Sequence, residues 1–177
     1  MAERPGGLGT AHQRAVTPVV AVIPTIGKSP HLQALLLELM RADVAVRLMV
    51  NSEEVPSEVM NASRVVGRGS IDHRPGHTIY QEWNEAAEWA CSLDAYLLVL
   101  NDDITIDFYL GKALACALDE YEEYGLISAD TRHPHPQSMI GAAPIPSGFN
   151  RGDRRAFANW AFAARPAAWQ AIGDYEI

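Results

Sequence analysis

The chain alternates between short apolar runs and longer segments in which apolar residues recur every three or four positions. Val19–Ile23 inside Val16–Thr25, Ala95–Leu100 and Val44–Val50, the last interrupted by Arg47, are the runs. Continuous apolarity over that length predicts strands covered on both faces, as in a parallel sheet. Pro24 is expected to end the first of them. Leu32, Leu35, Leu36, Leu39 and Met40 fall on one stripe, which predicts a helix over His31–Ala42 with Ser29 as its cap and Pro30 at its first position.

Two more helices read the same way. Thr78 opens one over Ile79–Cys91 with Trp83, Ala86, Ala87 and Ala90 inward, and Asp107 opens another over Phe108–Glu123 with Leu110, Leu114, Ala117, Leu118 and Tyr121 inward. A short helix follows Pro56, and Arg64–Val66 is the candidate third strand, before a Gly-rich loop over Gly67–Gly76. Leu126–Ser128 and Asn159–Ala164 read as strands and Pro166–Ile172 as a short helix. Residues 131–155 hold four prolines and three glycines and read as a long loop. This alternation predicts an α/β sandwich with a mostly parallel sheet, whose ligands bind at the carboxyl ends of the strands.

Composition narrows the function classes. The 177 residues fit one domain, with residues 1–17 as a flexible leader. Fourteen Lys and Arg against 22 Asp and Glu give a net charge of −8, which disfavours binding along a nucleic-acid backbone. No apolar run is long enough for a membrane span, and the leader lacks the apolar core of a signal peptide, so a cytoplasmic protein is expected. Cys91 and Cys116 are too few for a disulfide framework and are expected as buried thiols. The Gly67–Gly76 loop has no dinucleotide fingerprint or phosphate-loop pattern.

The most informative residues are Asn101-Asp102-Asp103, which a buried strand delivers to the ligand edge. Adjacent carboxylates there repel unless something positive neutralises them. A hard cation, Mn²⁺ or Mg²⁺, takes carboxylate oxygens and keeps substrate phosphates as further ligands. A solvated turn is the competing reading. His133 and His135, and Arg151, Arg154 and Arg155, read as solvated loop positions. His73, Arg74 and His77 lie near the expected ligand edge, and the four tryptophans read mainly as core, with Trp160 the candidate to stack on a sugar.

Five segments in order resemble the family 2 nucleotide-sugar glycosyltransferases: VVAVIPT (19–25), RLMVNS (47–52), GHTIYQEWNEAAEWA (76–90), LLVLNDDITID (97–107) and NWAFAARPAAWQAIGDYE (159–176). The resemblance implies the GT-A fold, a Rossmann-like three-layer sandwich, with 18–107 as the nucleotide-sugar-binding half and 108–177 as the acceptor-side half. It implies that Asp103 holds the metal against the donor diphosphate, while Asn101 and Asp102 flank it. Pro24 and Thr25 would line the nucleotide pocket. Asn51 stands where an Asp usually contacts the base, and Asn84 would lie near the ribose or diphosphate.

The implied reaction moves a sugar from a UDP-, GDP- or TDP-linked donor to an acceptor hydroxyl with inversion. The family's general base comes from an acidic pair shortly after the last matched segment; the remaining candidates are Asp174 and Glu176 inside that segment, which align better with the lead-in to the pair than with the base itself. Three arrangements are open. The chain is a shortened form; the site is completed by a loop residue such as Asp153 or by a second chain, including another copy; or the chain binds donor without efficient transfer. A binding or partner protein on the same fold and a nucleotidyltransferase are the alternative functions.

Overall fold

The computed structural model describes residues 17–64, 69–122, 125–129, 142–145 and 161–172. The leader, Val65–Val66, His133, His135, Arg151, Asp153, Arg154, Arg155, Trp160, Asp174 and Glu176 lie outside them. Strands β1 (Val19–Thr25), β2 (Ala45–Val50), β3 (Gly69–His73), β4 (Tyr96–Leu100), β5 (Leu126–Ala129), β6 (Ala142–Ile145) and β7 (Ala161–Ala164) form one seven-stranded sheet in the order β3-β2-β1-β4-β7-β5-β6. The first four are mutually parallel. β7 runs antiparallel between β4 and β5, and β6 runs antiparallel on β5, so β1 to β5 all point one way.

Five helices connect the strands: α1 (Leu32–Arg41), α2 (Ser57–Ser63), α3 (Ile79–Ser92), α4 (Leu110–Glu120) and α5 (Pro166–Ile172). Two apolar clusters share the sheet. One joins α1 and α4 to Ala21, Ile23, Leu98 and Leu100; the other joins α3 and α5 to Val20, Val22, Leu97 and Val99. The alternation of partners along β1 and β4 shows the clusters on opposite faces, since neighbouring strand residues point to opposite sides. This three-layer α/β sandwich is the one expected. Aromatic packing fixes the second face: Trp83 meets Phe162 edge-on at 5.5 Å, and Phe162 stacks with Trp169 at 6.2 Å.

Several expectations need correction. β1 runs through Pro24 to Thr25. In a parallel strand the N–H and C=O of one residue point to the same neighbour, and Asn51 N donates to Thr25 O, so Thr25 faces β2 and Pro24 faces β4. The β1–β4 pairing ends at Val22, so the missing N–H of Pro24 removes no ladder bond. The third strand is Gly69–His73, inside the expected loop, and Arg64 caps α2. It is an edge strand with no buried residue, so it lacks the apolar run that marks the others. The expected 131–155 loop contains β6, a four-residue strand at the opposite edge. Both cysteines are exposed, each one position past a buried alanine and so turned about 100° off its helix stripe. Met40 and Tyr121 are also exposed rather than inward.

Candidate functional site

At the carboxyl ends of β1, β2 and β4 the sheet opens into a cleft of about 290 Å³, lined by Pro24, Thr25, Ile26, Asn51, Ile79, Glu82, Asn101, Asp102 and Asp103. Six of these positions are legible in the sequence: Pro24, Thr25, Asn51, Asn101, Asp102 and Asp103. They meet because β4, β1 and β2 are adjacent and parallel, so their polar ends emerge side by side.

Local bonds hold the cleft open. The buried Thr25 donates its hydroxyl to Asp102 Oδ2 and accepts from Gly27 N at 2.8 Å. Ser29 donates to the carbonyl of Asp102 and accepts from His31 N at 3.2 Å; the cap position of α1 is His31, two residues after the Ser29 expected there. These bonds pin the β1–α1 loop to the turn after β4. Gly27 has φ +75, and a Cβ there would come within 2.5 Å of Pro56 Cγ, so both backbone and space require glycine.

Asn51 does not present a free amide to the cleft. Its Nδ2 donates to His77 O, and its Oδ1 accepts from Gly76 N at 3.1 Å. The side chain thus clamps the turn that leads into α3. Thr78 then starts that helix with a capping box, its hydroxyl accepting from Gln81 N while Gln81 Oε1 accepts from Thr78 N at 2.9 Å. Arg74 pairs with Glu85 at 3.0 Å and with Asp72 at 3.9 Å, and Glu85 also faces the His77 ring at 3.5 Å. His73 Nε2 lies 2.7 Å from Ser52 O. Arg74 and His77 therefore meet α3 at Glu85, while His73 meets the loop after β2.

Asn84 is not brought to the cleft lining. Its Oδ1 accepts from Trp169 Nε1 at 3.1 Å, which ties α3 to α5. Helical geometry explains this: Ile79 and Glu82 share the stripe that reaches the cleft, and Asn84 is two residues, about 200°, around from Glu82.

Sequence reading missed Glu82. It is 1% exposed, and its Oε1 is buried with no hydrogen-bond partner among the described residues. Burial pushes its carboxyl up to about 7; the charge of Glu85 adds to the rise and Arg74 opposes it. The signal was present, because position 82 lies on the apolar stripe Ile79, Trp83, Ala86, Ala87, Ala90. A carboxyl on such a stripe is either paired or functional.

The donor set at the β4 end fits a hard cation. Asp102 spends one oxygen on Thr25, while the exposed Asp103 carboxylate has no partner among the described residues. Among the described residues no group of three or more His, Cys, Asp or Glu side chains forms a cage. A cation at Asp103 would need substrate oxygens to complete its shell, the usual arrangement for Mg²⁺ at phosphates. No described helix is long and apolar enough to cross a membrane.

No family model matches the sequence, and no curated protein matches it. Solved structures match the fold. S. aureus TarS 1–349 aligns with TM-score 0.54 and 15% identity over 88% of this chain and 49% of that one. A 4-diphosphocytidyl-2C-methyl-D-erythritol synthase aligns with TM-score 0.50 and 12% identity over 85% of this chain and 73% of that one. The chain spans about half the length of the TarS structure it matches. The sheet order, the flanking helices and these likenesses together give this chain a GT-A-like fold.

Proposed function

We propose that the chain is a nucleotide-diphospho-sugar transferase of glycosyltransferase type, with the cleft as its donor site. The observation that carries this reading is the meeting of Pro24, Thr25, Asn51, Asn101, Asp102 and Asp103 in one cleft at the ligand edge of a GT-A-like sheet. Residues 18–107 form the donor half and 108–177 the acceptor half.

Asp103 would hold Mn²⁺ or Mg²⁺, which when bound would supply positive charge to the departing diphosphate. Thr25 orients Asp102 through a hydrogen bond to one of its carboxylate oxygens. Asn101 flanks the pair, and Ile26 and Ile79 give the cleft apolar walls. The acceptor hydroxyl oxygen attacks the anomeric carbon on the face opposite the leaving group. The bond from that carbon to the diphosphate breaks, the nucleoside diphosphate departs, and the hydroxyl proton passes to a carboxylate base. Asp174 and Glu176 are the candidates for that base, with Asp153 or a second chain as the other sources.

The test is a thermal-shift series with UDP, GDP, TDP and CDP, with and without Mn²⁺, on the wild type and Asp103→Ala. Ligand at about 100 times its Kd stabilises by about 2.7 kcal/mol. That is a rise of roughly 5–10 °C for a chain of this size. The expected outcome is a metal-dependent rise with at least one nucleotide that Asp103→Ala abolishes. No rise with any nucleotide overturns the reading.

A further inference from the structure

The cleft has two chemically different ends. Asp102 and Asp103 follow β4, Asn51 follows β2, and β1 lies between them. Two strand spacings separate the ends by about 10 Å. A nucleotide whose diphosphate lies at Asp103 therefore reaches toward the β2 end with its base. The base-reading group expected there, Asn51, has its acceptor and an amide donor committed to the Gly76–His77 turn. That same clamp fixes the chain just before α3, whose first turns carry Ile79 and Glu82 into the cleft lining.

Glu82 has what a base-holding group needs. It lines the cleft, it is almost wholly removed from water, and its Oε1 has no partner among the described residues. Pro24, Ile26 and Ile79 offer apolar surface for the faces of a planar ring. We propose that Glu82 holds the edge of the donor's nucleobase, and that it does so as a carboxylic acid, donating its O–H and accepting at its carbonyl oxygen. This rests on the donor-site reading above and adds the group that grips the base.

The neutral form follows from the surroundings. Glu82 has lost its hydration, and Glu85 stands one turn along the same helix. Arg74, the nearby cation, is drawn to Glu85 and Asp72. Asp102 and Asp103 add negative charge at the far end, and the His77 ring faces Glu85 rather than the cleft. An acid carries a donor and an acceptor side by side. It therefore pairs with a base edge that presents one of each, as cytosine, uracil, thymine and adenine do, and as guanine does at O6 and N1–H. An ionised carboxylate has acceptors only, and the base that best suits it is guanine, which offers two adjacent N–H donors.

The experiment measures Kd for CDP, UDP, TDP, ADP and GDP with Mn²⁺ at pH 6 and pH 8. The proteins are wild type, Glu82→Gln, Glu82→Leu and Asp103→Ala, each checked for folding by circular dichroism. Gln reproduces the donor and acceptor of the neutral acid without titrating, so its pH slope reports the phosphates and all other groups. With the Glu82 carboxyl at about 7, the wild type should weaken about tenfold more than Glu82→Gln between pH 6 and pH 8. Glu82→Leu, which fills the space but makes neither bond, should weaken binding at least tenfold at pH 6. Equal pH slopes in wild type and Glu82→Gln overturn the proposal. So does wild-type affinity in Glu82→Leu, or a preference for GDP that Glu82→Gln alone destroys. If Asp103→Ala abolishes binding while both Glu82 variants match the wild type, the donor site stands and the role of Glu82 falls. If no nucleotide binds any of the proteins, both readings fall.

Discussion

Helices α1 and α3 cover opposite faces of the same strands and are built on the same stripe spacing, yet they do different work. In α1 the buried stripe is Leu32, Leu35, Leu36 and Leu39, and the helix has no side-chain cap. In α3 the buried residues are Glu82, Trp83, Ala86, Ala87 and Ala90, and a capping box fixes the first turn. α1 holds the sheet by bulk. α3 packs through small alanines and one anchored indole, and it holds a carboxyl where a leucine would pack. The comparison teaches that one amphipathic pattern serves packing alone or packing plus chemistry. The difference rests on a single stripe position and on the bonds that fix the helix start.

The largest effect that separates the two helices should come from Leu36→Ala. Leu36 is fully buried, and truncation of such a leucine costs about 2–5 kcal/mol. Denaturant unfolding should show that loss, with the pH dependence of stability unchanged. A change in pH dependence would mean the two faces are coupled.

Glu82→Gln should act in the opposite direction. In the unfolded chain this carboxyl titrates near 4.5 and in the folded chain at about 7. Between those values the folded state binds more protons than the unfolded state. Wild-type stability therefore falls as pH rises from about 4.5 to 7 and is flat in this respect above 7. The full loss has an upper bound of about 3 kcal/mol. Glu82→Gln removes that slope and should make the unliganded protein about 1–3 kcal/mol more stable than wild type at pH 8. Unfolding curves at pH 5, 6, 7 and 8 check this, and parallel profiles for the two proteins would contradict it.

The smallest effect should come from Thr78→Ala. Losing the capping hydroxyl costs about 1 kcal/mol. It should also loosen the first turn of α3, visible as faster amide hydrogen exchange at Gln81 and Glu82 with α1 unaffected.

Much of this structure was legible in local pattern. The apolar runs located β1, β2 and β4, and the helix stripes and Thr78 located α1, α3 and α4 to within a few residues. The polar residues ending those strands identified six of the nine residues that line the cleft. What escaped had weak local signals. β3 (GSIDH) pairs through its backbone at an edge and buries nothing. β6 (AAPI) carries a proline and also sits at an edge, where a missing donor is tolerated. Asn51 and Asn84 were readable as polar groups near a ligand edge. Their bonds to His77 and Trp169 join segments 26 and 85 residues apart, which no local spacing encodes.

Local pattern was enough for most of the secondary elements, for the neighbouring strands β1, β2 and β4, and for the acidic turn at their ligand edge. These depend on hydrophobic periodicity and on caps, properties of contiguous residues. Assembly alone settled that β7 enters antiparallel between β4 and β5, that Asn51 clamps a turn, and that Glu82 Oε1 is buried with no hydrogen-bond partner among the described residues. Desolvation depends on what other elements cover, and that is set only when the sheet and helices assemble.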